Sequence, residues 1–302
     1  MRAPRRRWSA RRAAAGLAVF VPLLAAASAD AHFEGAILSS RTASLGGAFV
    51  AIADDPSAGV DNPAGLSGLV QPSLLATYQN PFGVDGLDEG FVAFSIPARV
   101  ATVGAAWFHR GLDGALSEDL FTLSIARDLK RTSEDASLSI GASVDFASIS
   151  ARGAIDESDT AVSFGAGVLL RPFAFIGMGY NIRNISEPSI DLVAEGAAST
   201  PLLRAQAVGL SYYWDNRLTV TAETYEDASS WRSRAGVELR LGPHVMLRGG
   251  LEASRASAGV GILWRSVGFD AGFLSHEALG ASYVMTFRYA RKEPAKPYGT
   301  TQ

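Results

Sequence analysis

The fold is decided by the stretch from Arg41 to Leu69, which reads RTASLGGAFVAIADDPSAGVDNPAGLSGL. Gly46-Gly47, Asp54-Asp55-Pro56 and Asn62-Pro63 interrupt it, so no apolar run is long enough for a stable helix. The stretch is nevertheless too apolar for a solvated loop. An interrupted segment with apolar side chains is stable only inside an enclosure, and the chain that follows Gln71 is expected to provide one.

From Gln71 to Arg291 the chain consists of segments of about ten residues whose side chains alternate between apolar and small or polar, as in outer-membrane barrels. Residues 138–146 show the pattern, with Leu, Ile, Ala, Val and Phe on one face and Ser, Gly, Ser and Asp on the other. Roughly fourteen strands follow from this period of two. Their predicted starts lie near Ser73, Glu89, Arg99, Glu118, Ala136, Thr160, Phe173, Leu202, Arg217, Trp231, His244, Ala258, Val267 and Leu279.

The connections between these segments favour a closed barrel over the alternative, a soluble periplasmic β-sandwich. Tight joints such as residues 215–217 and 241–244 alternate with longer polar ones. The expected long loops are Asn80 to Asp88, Arg110 to Ser117, Arg152 to Asp159 and Asn184 to Thr200. Membrane barrels have short turns on the periplasmic rim and long loops outside. Small residues on the polar face and aromatic residues near strand ends also favour the barrel.

The termini and the composition limit the function. Six arginines in residues 1–12 precede an apolar run and an Ala-Ser-Ala-Asp-Ala sequence, which predicts a cleaved signal peptide over residues 1–31. Residues 292–302 are predicted to be a disordered periplasmic tail. A net charge of -3 gives no basic excess for nucleic acid. With no cysteine and four scattered histidines, we expect no cofactor and no metal.

The motif that begins at Leu45 resembles the N-terminal hatch of the FadL-like and PorV-like outer-membrane barrel superfamily. The shared elements are the run Leu45 to Ala51, the pair Asp54-Asp55 and the close Asn62 to Leu66. The resemblance implies an all-β, antiparallel transmembrane barrel of about fourteen strands (residues 72–291) with a hatch (residues 32–71) in its lumen. It also implies a location in the bacterial outer membrane, in contact with its lipid.

The two branches of this superfamily imply different functions. The FadL-like branch implies passive passage of a fatty-acid-like hydrophobic molecule through a hatch-gated lumen. The longest expected outer loop, Asn184 to Thr200, is however short of large apolar side chains for a capture groove. The PorV-like branch implies an interaction partner of a protein-secretion or surface-attachment system. A catalytic function is not expected, because no nucleophile with a histidine base can be assigned.

Two groups of candidate site residues follow. The candidates for gating in the hatch are Gly46, Gly47, Asp54, Asp55, Asn62 and Pro63. The two aspartates and Asn62 are expected to contact arginines of the wall or their own backbone. The candidates for a lumen site that holds an anionic head group are Arg232, Arg234, Glu238, Arg240 and Arg248. The alternative for the second group is a ladder of ion pairs that braces the wall.

Overall fold

The computed structural model describes residues 36–133, 136–152, 156–191, 200–227, 230–253, 255–276 and 279–290. The predicted signal peptide and the predicted tail lie outside these residues. Fourteen strands form one closed antiparallel barrel, which confirms the predicted fold class. In the described part of the chain, no helix is long and apolar enough to cross a membrane.

Each barrel strand pairs with its neighbours in the chain, and the first strand pairs with the last to close the sheet. The strands are β1 (Ser73–Asn80), β2 (Leu87–Pro97), β3 (Thr102–Leu112), β4 (Leu116–Ser133), β5 (Ala136–Ala151), β6 (Glu157–Phe173), β7 (Ile176–Arg183), β8 (Ser189–Ile190), β9 (Thr200–Pro201), β10 (Ala205–Trp214), β11 (Leu218–Asp227), β12 (Ser230–Leu241), β13 (Val245–Glu252), β14 (Arg255–Trp264), β15 (Val267–His276) and β16 (Gly280–Ala290). The short β8 and β9 pair with each other outside the barrel sheet, and β7 pairs with β10. Every predicted strand start lies within three residues of the observed one.

The alternation of side chains separates an apolar outer face from a small or polar inner face. On β6, Val162 and Phe164 are exposed, whereas Ala161 and Ser163 are buried. The outward side chains of the closing strand β16 are Tyr283, Met285, Phe287 and Tyr289, and all four are exposed. An apolar outer surface suits lipid, and the closed sheet meets the second condition for a membrane, because the strands pair one another's backbone groups.

One expected long loop is instead a tight turn. Residues 110–117 were expected to be a loop, but β3 continues to Leu112 and β4 starts at Leu116. The physical reason lies on the inner face, where Arg110 donates to Glu89 of β2 at 2.6 Å and to Glu118 of β4 at 3.2 Å. These ion pairs hold the three strands together up to their ends.

Residues 36–69, here called the inner segment, lie inside the barrel. The segment contains helix α1 (Ser40–Ser44), helix α2 (Ala58–Asp61) and a 3-10 helix (Pro63–Gly68). Ser39 accepts from the backbone N–H of Thr42 and so caps α1. Helix α1 contacts β13 to β16, and the 3-10 helix contacts β3 to β6. Since these strands lie on different sides of the barrel, the segment crosses the lumen.

Glycines on the inner face of the wall make room for the inner segment. A Cβ atom added to Gly167 would lie 2.1 Å from the Asn62 side chain, and one added to Gly141 would lie 2.3 Å from the Pro63 carbonyl carbon. At Gly250, the same atom would lie 2.1 Å from the Gly46 nitrogen. Such separations are far below van der Waals contact, so the inner segment requires glycine at these wall positions.

Candidate functional site

Arg41 fastens the inner segment to the wall. Its Nε and Nη2 donate to the two carboxylate oxygens of Glu238 on β12, at 2.9 and 3.1 Å. Its Nη1 also donates to Asp54 and lies 3.7 Å from Asp55, both in the inner segment itself. Burial lowers the pKa of this guanidinium, but the nearby carboxylates outweigh burial and hold the pKa well above its usual value. Arg41 therefore stays charged and bridges the segment to the wall.

The ion pairs continue along the wall from Glu238. Arg248 on β13 donates to Glu238 at 2.6 Å and to Asp270 on β15 at 2.6 Å, and Arg288 on β16 donates to the other oxygen of Asp270 at 2.6 Å. Asp270 is fully buried. Removing one member of such a chain would leave a buried charge without compensation, so the chain fixes β12 to β16 relative to Arg41.

Glu223 on β11 provides a second attachment. One of its oxygens accepts the backbone N–H groups of Phe49 and Val50, both at 2.9 Å, and the other accepts from Arg234 on β12 at 3.0 Å. The guanidinium of Arg234 also lies 4.3 Å from the centre of the Tyr225 ring. The carboxylate thus binds backbone donors that have no partner within the interrupted inner segment.

Asn62 and Pro63 fix the other side of the inner segment. The Asn62 amide donates to the carbonyl oxygens of Val50 at 2.8 Å and Val168 on β6 at 3.2 Å, while its oxygen accepts from the Ala64 backbone at 3.2 Å. The following proline begins the 3-10 helix with a φ angle that suits it. One buried amide side chain therefore joins two parts of the segment to the wall.

Contact between the two aspartates of the motif and arginines of the wall is one of the two expectations stated above. Among the described residues, the structure does not show this contact for either aspartate. Asp54 pairs with Arg41 of the inner segment. Asp55 accepts from the Ser57 backbone at 2.9 Å and from its hydroxyl at 2.7 Å. Burial raises the pKa of Asp55, although Arg41 opposes that rise. Asp55 therefore shapes the turn at residues 55–57, and Asp54 orients Arg41.

A cavity of about 470 Å³ lies over the inner segment. Its floor includes Gly46, Val50 and Asp61. Charged groups of both signs line its wall, namely Glu89, Arg110, Arg183, Glu223, Glu226, Arg232, Arg234, Glu252 and Arg255. Burial raises the pKa of Asp61 to about 7. The cavity size is in the range that holds small molecules.

One side of the cavity is apolar and continues into a buried cluster, here called the apolar lumen cluster. Its wall members are Leu75, Phe91, Ala93, Ala106, Phe108, Leu120, Ala147, Ile149 and Ala161. Leu38 and Val60 of the inner segment pack beneath them, and Ile190 and Leu202, from the connection between β7 and β10, cover them. Leu38, Leu120 and Leu202 belong to both the cluster and the cavity. The cavity therefore borders a packed apolar cluster at these three residues.

The connection between β7 and β10 is held against the free edge of β6. The pairing of β6 with β7 starts only at Ala166, so residues 157–165 of β6 extend beyond β7. The backbone of Ile185 donates to the Phe164 carbonyl at 3.0 Å, and that of Asp191 donates to the Asp159 carboxylate at 2.7 Å. A few hydrogen bonds thus hold the cover of the apolar lumen cluster in place.

The five predicted head-group residues lie in three places. Arg232 and Arg234 line the cavity. Glu238 and Arg248 belong to the ion-pair chain with Arg41. Arg240 is half-buried beside the end of β12 and lines neither the cavity nor this chain. A head-group site made of all five residues stays a prediction, and the structure brings only the first two together at the cavity.

Sequence reasoning did not single out Arg41 or the wall glycines. Arg41 is the one charged residue from Ile37 to Ala53, and a single charge in an otherwise uncharged, largely apolar stretch is the signal that could have identified it. Gly46 and Gly47 have φ angles of +65° and +86°, in the region that favours glycine. They place the backbone against β13, where Ser257 of β14 accepts from Gly46 at 3.1 Å.

The fold and this site define a closed membrane-type β-barrel whose lumen holds its own N-terminal segment. No family model matches the chain, and a search of curated proteins finds no match. Solved structures do share the fold. A Pseudomonas aeruginosa FadL homologue is 13% identical, over 83% of this chain and 98% of that chain, with a TM-score of 0.58.

Two further solved structures are similar. The CymD monoaromatic hydrocarbon channel is 11% identical, over 86% of this chain and 98% of that chain, with a TM-score of 0.59. The Ralstonia pickettii toluene transporter TbuX is 11% identical, over 83% of this chain and 98% of that chain, with a TM-score of 0.56. The chain therefore has the fold of the FadL-like barrels.

Proposed function

We propose that this protein lets hydrophobic small molecules pass the bacterial outer membrane through the barrel interior. The observation that carries the proposal is the apolar lumen cluster, which borders the cavity and is closed by Ile190 and Leu202. Apolar side chains at the edge of the cavity, with this cluster behind them, give a hydrophobic molecule a favourable place to leave water. The hydrocarbon and toluene channels that share the fold support this substrate class.

Passage requires the inner segment to move. The segment crosses the lumen, and Leu45, Ala48 and Ile52 at its centre are at most 1% exposed. The gating function predicted for its motif is part of this proposal, with the Arg41 ion pairs and the Glu223 hydrogen bonds as the contacts that must break. No protein of a secretion system is among the structures named above, so the PorV-like alternative is not part of the proposal.

The test is uptake of radiolabelled toluene by bacteria that lack other hydrocarbon channels. Cells with the wild-type protein should take up toluene faster than cells with the empty vector. The variant Leu202→Asn should slow that uptake, because it places an amide over the apolar lumen cluster. Ile185→Asn is the matched control, since Ile185 lies in the same connection but is 47% exposed.

Equal uptake by wild-type and vector cells would refute the proposed function. Equal effects of Leu202→Asn and Ile185→Asn would instead refute the assignment of the apolar lumen cluster to the path. Heat-modified migration on gels should confirm that each variant is folded in the membrane before uptake is compared.

A further inference from the structure

Phe82 stands in an unusual backbone conformation at the cavity. It lies in the loop between β1 and β2, in a short 3-10 turn (Pro81–Gly83), with φ 57° and ψ 12°. This left-handed region is unfavourable for a bulky L-residue, and such residues persist only where the surroundings hold them. Strained residues concentrate at binding sites, so Phe82 calls for a functional explanation.

The loop around Phe82 is firmly held. The backbone N–H of Phe82 donates to the Ser282 hydroxyl on β16 at 2.9 Å. The side chain of Asn80 donates to the carbonyl oxygens of Val84 and Leu87, at 2.8 and 2.7 Å. The neighbouring Gly83 shares the left-handed conformation, with φ 64°. A glycine would meet the backbone requirement at position 82 without strain, so the turn geometry does not explain the phenylalanine ring.

The ring of Phe82 is paired with an aromatic partner on the cavity wall. The Phe82 and His276 ring centroids are 5.4 Å apart, with the rings inclined at 74°. This is the edge-to-face arrangement that aromatic rings prefer. Both residues line the cavity, and Leu87 and Leu274 line it as well. Half-buried Phe82 therefore presents aromatic surface to any molecule in the cavity.

We propose that Phe82 and His276 form an aromatic recognition site that selects planar, aromatic hydrophobic molecules over saturated ones of similar size. The inference rests on the proposed function and adds the residues that set selectivity. A flat ring can stack on Phe82 or place its edge against it, whereas a saturated ring lacks the quadrupole that such pairs need. The left-handed backbone at residue 82 holds the ring at the cavity.

The experiment compares uptake of radiolabelled toluene and cyclohexane by cells that produce the wild-type protein or one of four variants. Phe82→Leu keeps an apolar side chain but removes the aromatic ring. Phe82→Gly removes the ring and also relieves the backbone. Phe82→Tyr keeps the ring and should rescue selectivity. Val84→Ala is a control in the same loop at a residue that does not line the cavity.

The ratio of toluene to cyclohexane uptake should fall about two- to tenfold in Phe82→Leu and Phe82→Gly, the range that one aromatic pair gives. It should be unchanged in Phe82→Tyr and Val84→Ala. Thermal unfolding of Phe82→Gly should be unchanged or occur at a higher temperature, which separates loss of the ring from loss of the fold.

An unchanged ratio in both Phe82→Leu and Phe82→Gly would overturn the recognition site while leaving the proposed function intact. If the uptake of toluene and the uptake of cyclohexane fall by the same factor, the recognition site is also overturned, because the loop would then affect passage in general. If the wild-type protein takes up neither molecule faster than the vector cells, the proposed function fails, and this inference fails with it.

Discussion

Replacing Arg41 by methionine should loosen the inner segment while the barrel stays closed. Methionine keeps much of the length of the side chain and can still pack on the Phe49 ring, which lies 5.5 Å from the guanidinium carbon. The change removes the charge that compensates Asp54, Asp55 and Glu238. The side chains of Arg41 and Glu238 are only 9% and 11% exposed, so solvent compensates little.

The expected size of the effect follows from this burial. Removing one partner of a buried ion pair costs about 3–5 kcal/mol. Glu238 retains Arg248 at 2.6 Å, which favours the lower end of that range. Since 1.36 kcal/mol corresponds to a factor of ten, opening of the inner segment should become about 100- to 1,000-fold more frequent.

Hydrogen exchange followed by mass spectrometry measures this opening directly. Amides of residues 43–52 should lose about two to three orders of magnitude of protection in Arg41→Met, while amides of the barrel strands keep theirs. Conductance in planar bilayers should rise in the same variant, since the segment crosses the lumen. Arg217→Met is the matched control, because its pair with Asp215 is 3.7 Å long and both side chains are more than two-thirds exposed.

A folded Arg41→Met variant with wild-type protection at residues 43–52 and wild-type conductance would contradict this prediction. That result would mean that the Glu223 hydrogen bonds and the close contacts with wall glycines hold the inner segment without Arg41. A loss of protection throughout the barrel would also contradict it, since the fourteen-strand hydrogen-bond network does not depend on this ion pair.

Three further substitutions test the contacts that hold the inner segment in the barrel. Gly141→Ala should lower thermal stability by about 1–3 kcal/mol through overpacking against Pro63, whereas Gly90→Ala, with open space at its Cβ position, should not; equal melting temperatures would contradict the close contact. Asn62→Ala should cost about 1–3 kcal/mol in chemical denaturation, because it leaves buried partners at Val50 and Val168 without a donor, and no loss would argue against that bond. The pKa of Asp61 is raised to about 7, so its folded state binds a proton that the unfolded chain releases. Exchange protection of residues 58–66, corrected for intrinsic rates, should therefore fall as the pH rises from about 4 to about 7 and level off above it, and Asp61→Asn should remove that dependence.

The strands can be predicted from the sequence because the two faces of each strand lie in different environments. Outward side chains face an apolar medium and inward ones face the lumen, so a period of two is imposed on every strand. Position along a strand also follows from the turns, as at residues 215–217, where the predicted tight joint lies between β10 and β11. The number and the starts of the barrel strands are thus local properties that a sequence carries, whereas the lengths of β4, β5 and β6 (18, 16 and 17 residues) exceed the expected ten or so.

The interior depends on contacts that no local pattern specifies. Arg41 meets Glu238, 197 residues further along the chain, only because closure of the barrel brings β12 against α1. Gly141 and Gly167 read as ordinary small residues of a polar face until Asn62 and Pro63 are placed against them. Phe82 resembles any loop aromatic in the sequence, and its strain and its pairing with His276 arise from β16 and β15. Alternation specifies the wall because it is a local pattern, whereas the contents of the lumen depend on which distant residues the closed wall brings within a few ångströms of each other.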